Sequence, residues 1–181
     1  MLLSGVMLLT TVWGMPPAVA GLCLAPGPIV VVIVSLLAGR LVGRAGIGVV
    51  AATGAALYAI GIGIWLCTIG PVPHYFTDYF PAQLFTGTGV GLVMPSLSAV
   101  TGIALPAHRW GAGSAVTNTA RQLGMVLGTT ALTMIYQPDV DLDAVRRGWI
   151  FVAVAAATAA VIAAALAVYW KPAAEESRPL T

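Results

Sequence analysis

Apolar residues run through this chain in blocks of about 20, the length needed to cross a bilayer as helix, and charges, prolines and glycines break the blocks at near-regular intervals. Residues 1–13 form an apolar run too short to cross alone, about 20 Å as a helix. Residues 19–39 make a full run, followed by a charged loop carrying Arg40 and Arg44. Residues 47–69 hold no charge, and 70–79 form a polar, proline-containing turn with His74 and Asp78. The next run, 80–105, stops at Pro106, His108 and Arg109, and 111–136 follows directly. A loop with Asp139, Asp141 and Asp143 precedes the last run, 148–170. These runs are about twice as long as barrel strands and none alternates polar with apolar, so they read as helices. Interior Gly and Pro are tolerated in membrane helices whose neighbours satisfy the backbone. The pattern predicts an all-α membrane protein: one bundle over 1–170 with about six transmembrane helices, the first truncated. Residues 171–181 are polar and are expected to form a disordered cytoplasmic tail.

Composition sharpens this picture. Hydrophobic residues make up 59% of the chain and charged ones 8%, with a mean hydropathy of +0.96. A soluble domain carries about 25% charged residues, so this chain lacks the surface to stay in water. The formal charge of +2 comes without a basic stripe, which excludes nucleic acid as a partner. The start could be mistaken for a signal peptide because Ala18-Val19-Ala20 has a cleavage-like form. It lacks a basic leader and is interrupted by Pro16-Pro17, so a truncated membrane helix is the preferred reading.

Placing the Arg40–Arg44 loop in the cytoplasm puts Arg40, Arg44, Arg109, Lys171 and Arg178 inside, and only Arg146 and Arg147 outside. This satisfies the positive-inside rule and sets both termini in the cytoplasm of a multi-pass protein of the cell membrane. All five tryptophans fall at predicted span ends, where amphipathic rings anchor to the interface. Cys23 and Cys67 lie in apolar runs near the outer ends of successive helices. A disulfide is conceivable there, but two small buried thiols are the simpler reading, and no metal-ligand spacing accompanies them.

Arg121 is the most informative residue. It lies about 15 Å along the fifth helix from its cytoplasmic end, near mid-membrane. An arginine there costs about 2.5–3.5 kcal/mol on insertion scales, so it must face protein or water. Ser114, Asn118, Arg121, Gln122, Met125, Thr129 and Thr133 share roughly a third of the helix circumference at about 100° per residue. This stripe is either a cavity wall touching substrate or a partner carboxylate, or a satisfied arginine locking two helices. Intramembrane ionisable residues usually mark pathways, which favours the first. Gly124 and Gly128 on the adjoining edge form a small-xxx-small packing pattern. On the fourth helix Gln83, Gly87, Gly91, Met94, Ser98 and Thr101 share one face, with Pro95 available as a kink. Close packing at Gly87 and Gly91 is the default there, with substrate-lining roles for Gln83, Met94 and Ser98 the weaker reading.

The glycines at 87, 89 and 91 resemble a phosphate loop only superficially, since no strand precedes them. His74 and His108 fall at opposite membrane faces, and no carboxylate is embedded in any run. An intramembrane enzyme would need a nucleophile–base pair or paired carboxylates at depth. None is present, so the chain reads as a non-enzyme with no cofactor and no metal.

Three stretches together carry a family resemblance: GLCLAPGPI over 21–29 followed by LAGRLVGRAGI over 37–47, TGTGVGLVMPSLSA over 86–99, and GSAVTNTARQLGMVLGTTALT over 113–133. With this spacing the chain resembles the C-terminal half of a major facilitator superfamily transporter, in particular the fourteen-helix drug:proton antiporter branch. The likeness covers about residues 15–170. It implies proton-driven export of drugs or other small amphiphiles by two six-helix halves rocking about a central site. Arg40 and Arg44 match the family's cytoplasmic gating loop, and Asn118, Arg121 and Gln122 match its polar signature on the penultimate helix. Gly43 stands where that loop usually has an acidic residue. The resemblance also implies that this chain is a C-terminal half or fragment, with the acidic residues that couple proton flow in an absent N-terminal half. Partners would then be lipid, substrate, proton and that half or a second copy. A non-transporting membrane interaction protein that packs against another transporter half is the alternative.

Overall fold

A computed structural model describes residues 2–137 and 140–169, and the side chains of 100–104, 107 and 160–169 lie outside the description. Asp139, Trp170 and the expected tail, with Lys171 and Arg178, also fall outside it. The chain is helical, with no strand among the described residues.

α1 (Leu2–Met7) runs into a π turn, Leu8–Val12, before Gly14 at positive φ and Pro16-Pro17 redirect the chain. α2 (Pro17–Leu24) and α3 (Pro26–Ala45) form one rod broken at Ala25. The prolines opening α3 remove backbone donors, but Ala25 keeps right-handed helical angles, so the rod bends without ending. The stop comes at Gly46, whose φ of 84° suits a residue without a Cβ. α4 (Ile47–Thr68) begins at the next residue. Arg40 and Arg44, expected in a loop, therefore sit exposed in the last turns of α3, and the connection shrinks to Gly46. α5 (Phe80–Ala104) follows a π turn at Tyr75–Tyr79, and α6 (Trp110–Ile135) follows a 3-10 turn at Ala107–Arg109. α7 (Leu142–Tyr169) starts six residues ahead of its apolar run. The cause is local: Asp141 caps it, its Oδ1 accepting the Ala144 N–H at 2.6 Å, and Asp143 sits in the first turn.

Two rods, Pro17–Ala45 and Ile47–Thr68, are by length and composition apolar enough to cross a bilayer, and Leu2–Val12 is a shorter apolar helix. α5 is the spine of the bundle and packs on α3 with one face and on α4 with another. Small residues make both approaches possible. A Cβ on Gly54 of α4 would sit 2.9 Å from the Gly89 carbonyl, and one on Gly61 would sit 2.8 Å from the Ala82 carbonyl. Toward α3, a Cβ on Gly87 would meet the Gly27 carbonyl at 3.0 Å, and one on Gly91 the Val31 carbonyl at 3.0 Å. Pro95 has no N–H to give the carbonyl four residues back. That carbonyl, on Gly91, accepts the Ser35 hydroxyl of α3 at 3.2 Å instead. The donor that one helix lacks thus creates a link to another.

At the end of the bundle where α5 begins, aromatic rings build the core. Trp65 stacks between Tyr79 (5.1 Å) and Trp149 (5.3 Å), and Trp13 meets Tyr79 edge-on at 6.3 Å. Trp149 is fully buried, and Trp65 is nearly so. The tryptophans at 13, 65 and 149, expected as interface anchors, turn inward and hold α1, α4 and α7 together, while Trp110 is half exposed. Their indoles reinforce this: Trp13 donates to the Gly70 carbonyl and Trp65 to that of Tyr79. Arg146 adds a bond from Nη2 to the Ile69 carbonyl at 3.2 Å. Tyr75 donates to the Cys23 carbonyl at 2.7 Å, and burial pushes its phenol above the usual range, so it stays a donor. Cys23 and Cys67 are both free, and Cys67 is exposed rather than buried as expected.

Candidate binding cleft

α6 behaves differently along its two ends. Leu132 and Tyr136 are buried in the aromatic core, whereas every residue from Ser114 to Leu127 is exposed. The helix is held at one end and stands away from α5 at the other. Between them lies a cleft of about 690 Å³. Met94, Pro95, Leu97 and Ser98 of α5 form one wall, and Ser114, Thr117, Asn118 and Arg121 of α6 form the other. The α6 set has spacings of three, one and three, one face of a helix.

Arg121 donates from Nη2 to Asn118 Oδ1 at 3.0 Å, a contact one turn back on the same helix. No carboxylate lies within ion-pair distance of Arg121 among the described residues, where the ion pair formed is Arg147–Asp141, exposed and 4.0 Å long. Ser98 and Thr117 turn their hydroxyls to the carbonyls of Met94 and Gly113 four residues back. The cleft therefore offers apolar walls, a few hydroxyls, one amide and one fixed positive charge. Such a composition suits the amphiphilic face of a small molecule. It contains no nucleophile–base pair, and His74 and His108 are exposed at opposite ends of the bundle. No cluster of His, Cys, Asp or Glu that could hold a metal occurs among the described residues.

Of the residues singled out from sequence, Met94, Ser98, Asn118 and Arg121 meet in this cleft. Gln122 is exposed on α6 beside it and does not line it. Gln83 lies elsewhere: its buried amide donates to the Leu24 carbonyl at 2.8 Å, bracing the break between α2 and α3. Gly87 and Gly91 pack on α3, while a Cβ on Gly124 or Gly128 would meet nothing within 4 Å. Leu97 and Thr117 line the cleft without having been singled out. The spacing 114, 117, 118, 121 carried the signal for Thr117, but Leu97 is one apolar residue among many.

Similar regions of known proteins point the same way. Over 139 residues the chain is 32% identical to the multidrug resistance protein Stp of Mycobacterium tuberculosis, covering 71% of this chain and 24% of that one. It is 31% identical over 145 residues to the multidrug efflux pump LfrA of Mycolicibacterium smegmatis, covering 75% of this chain and 27% of LfrA. A shorter stretch of 62 residues is 39% identical to the puromycin resistance protein pur8 of Streptomyces alboniger, 34% of this chain and 12% of that protein. The chain is similar to drug-efflux proteins. It spans about a quarter of the length of Stp and LfrA. Their names are those of resistance and efflux proteins, not of enzymes, and an efflux pump works in a membrane, where the two apolar rods can sit. No family model and no solved structure matches the chain.

Proposed function

We propose that this chain is the C-terminal half, or a fragment of it, of a proton-coupled exporter of drugs or other small amphiphiles, built on the major facilitator plan. Its six helical runs cross the cell membrane with both termini in the cytoplasm, and the α5–α6 cleft lies on the translocation path. The observation that carries this reading is the convergence of Met94, Ser98, Asn118 and Arg121 on one cleft in a chain similar to multidrug efflux proteins. Rocking of two bundles needs a second bundle, supplied by an N-terminal half or by another copy. Arg40 and Arg44 act as the cytoplasmic gating pair, and Gln83 contributes by bracing α5 rather than by touching substrate.

The test is accumulation of fluorescein, a dye that carries a carboxylate, in everted vesicles that hold the complete protein, made from an efflux-deficient host. Arg121→Ala is expected to reduce export at least about tenfold at equal abundance, the scale of one lost charge-assisted contact. Full export by that variant would remove Arg121 from the path. A second reading, a non-transporting subunit that packs against another transporter half, is favoured by the open face at Gly124 and Gly128. It is selected if the complete protein exports nothing yet co-purifies with a transporter.

A further inference from the structure

We propose that Asn118 and Arg121 form a carboxylate-binding site in the α5–α6 cleft, a step that deepens the export reading by naming the chemistry the cleft accepts. A guanidinium has five N–H donors in a planar fork. Arg121 gives one of them to Asn118 Oδ1 at 3.0 Å, a neutral acceptor that orients the fork without compensating its charge. The described carboxylates, Asp78, Asp141 and Asp143, belong to the opposite end of the bundle. From Arg121 to the end of α6 at Ile135 is already about 21 Å of helix. The positive charge in the cleft therefore has no counter-charge from the described residues, and it sits beside Met94, Pro95 and Leu97; at the membrane depth that the export reading gives it, an uncompensated ion is costly.

What completes such a site is an anion that takes two parallel N–H bonds, the pairing of Arg with carboxylate or phosphate. One guanidinium balances one negative charge. A phosphate carrying two would leave the second against apolar walls, with the Asn118 amide and the hydroxyls of Ser98, Ser114 and Thr117 nearby. A singly charged carboxylate with an apolar body matches both the charge and the walls, and a lipophilic cation is disfavoured at this position. The carboxylate can arrive on the transported amphiphile or on a helix outside this chain.

Titration of the complete protein, purified in an uncharged detergent at about pH 8 where a carboxylate is ionised, separates these sources. The probes are dodecanoate and dodecanol, equal in chain length and different in charge. If the carboxylate comes from the ligand, the protein binds dodecanoate roughly tenfold or more tightly than dodecanol, as expected for one added charge-assisted pair. Arg121→Gln then brings the two affinities together, and Asn118→Ala narrows the gap by a smaller factor. If another helix supplies it, the parent protein shows no preference, Arg121→Met lowers the melting temperature, and Arg121→Lys melts above Arg121→Met because it keeps the charge. Persistence of the dodecanoate preference in Arg121→Gln overturns the site. So does a parent protein without preference whose Arg121→Met and Arg121→Lys forms melt alike. Neither measurement needs export, so a protein that exports nothing but prefers dodecanoate through Arg121 would refute the transport reading and keep this one.

Discussion

The two ends of α6 sit in opposite environments, and the contrast explains how the molecule combines a firm bundle with an open cleft. At Leu132 and Tyr136 the helix enters a core of stacked rings to which α1, α4 and α7 also contribute. From Ser114 to Leu127 every residue is exposed, although Val116, Leu123, Met125, Val126 and Leu127 are as apolar as the core. Hydrophobicity alone therefore does not decide which part of a helix packs. Between helices in lipid, association rests on close van der Waals fit and hydrogen bonds. The aromatic end has both, in interlocked rings and indole donors. The cleft end of α6 is exposed and presents a polar stripe instead.

The sharpest way to break this contrast is to remove a ring. Trp149→Ala deletes a fully buried side chain and should cost about 3–5 kcal/mol, seen as a large fall in the detergent melting temperature. Trp149→Phe keeps an aromatic ring and removes an indole N–H that has no partner among the described residues, so its cost should stay below about 1.5 kcal/mol. Equal losses in the two variants would mean that stacking is not what holds this end. Next in size is the α4–α5 crossing. Gly89→Val places methyls against the Gly54 carbonyl and the Tyr58 backbone, with an expected cost of about 1–3 kcal/mol from overpacking.

Smaller again is Ser35→Ala, which leaves the Gly91 carbonyl beneath Pro95 without its donor and should cost about 0.5–1.5 kcal/mol. A matching hydrogen-exchange change confined to α5 would support the assignment, and no change would mean that the α3–α5 contact is held by packing alone. The smallest effect belongs to the open end. Gly124→Ala in this chain alone should change stability by no more than about 1 kcal/mol, toward greater stability from helix propensity. In a complete protein where another helix docks at Gly124 and Gly128, the same substitution should lower the melting temperature, which directly reports whether that face is covered.

Much of the architecture is legible before any folding. Runs of about 20 apolar residues specify helices because each satisfies its own backbone, and the Pro16-Pro17 interruption is read directly. The break at Ala25 and the stop at Gly46 were missed, since 19–39 reads as one unbroken run and the arginines at 40 and 44 read as a loop. The polar stripe on α6 is equally readable, since Ser114, Asn118 and Arg121 recur at helical spacing. The Asp141 cap was missed because an acidic loop and a helix start share the same composition.

Which surfaces meet is a different matter, decided by pairs distant in sequence. Ser35 reaches Gly91 across 56 residues and Gln83 reaches Leu24 across 59. Trp65 finds Trp149, so rings that composition assigns to the membrane interface become core. Glycines at 87 and 91 find α3, while those at 124 and 128, with the same spacing, meet nothing within 4 Å among the described residues. Local order in a helix depends on residues within one turn, and the sequence contains that information in plain form. The fit between two helices depends on shape at every position of both, and only the tertiary structure brought Met94 and Ser98 opposite Asn118 and Arg121.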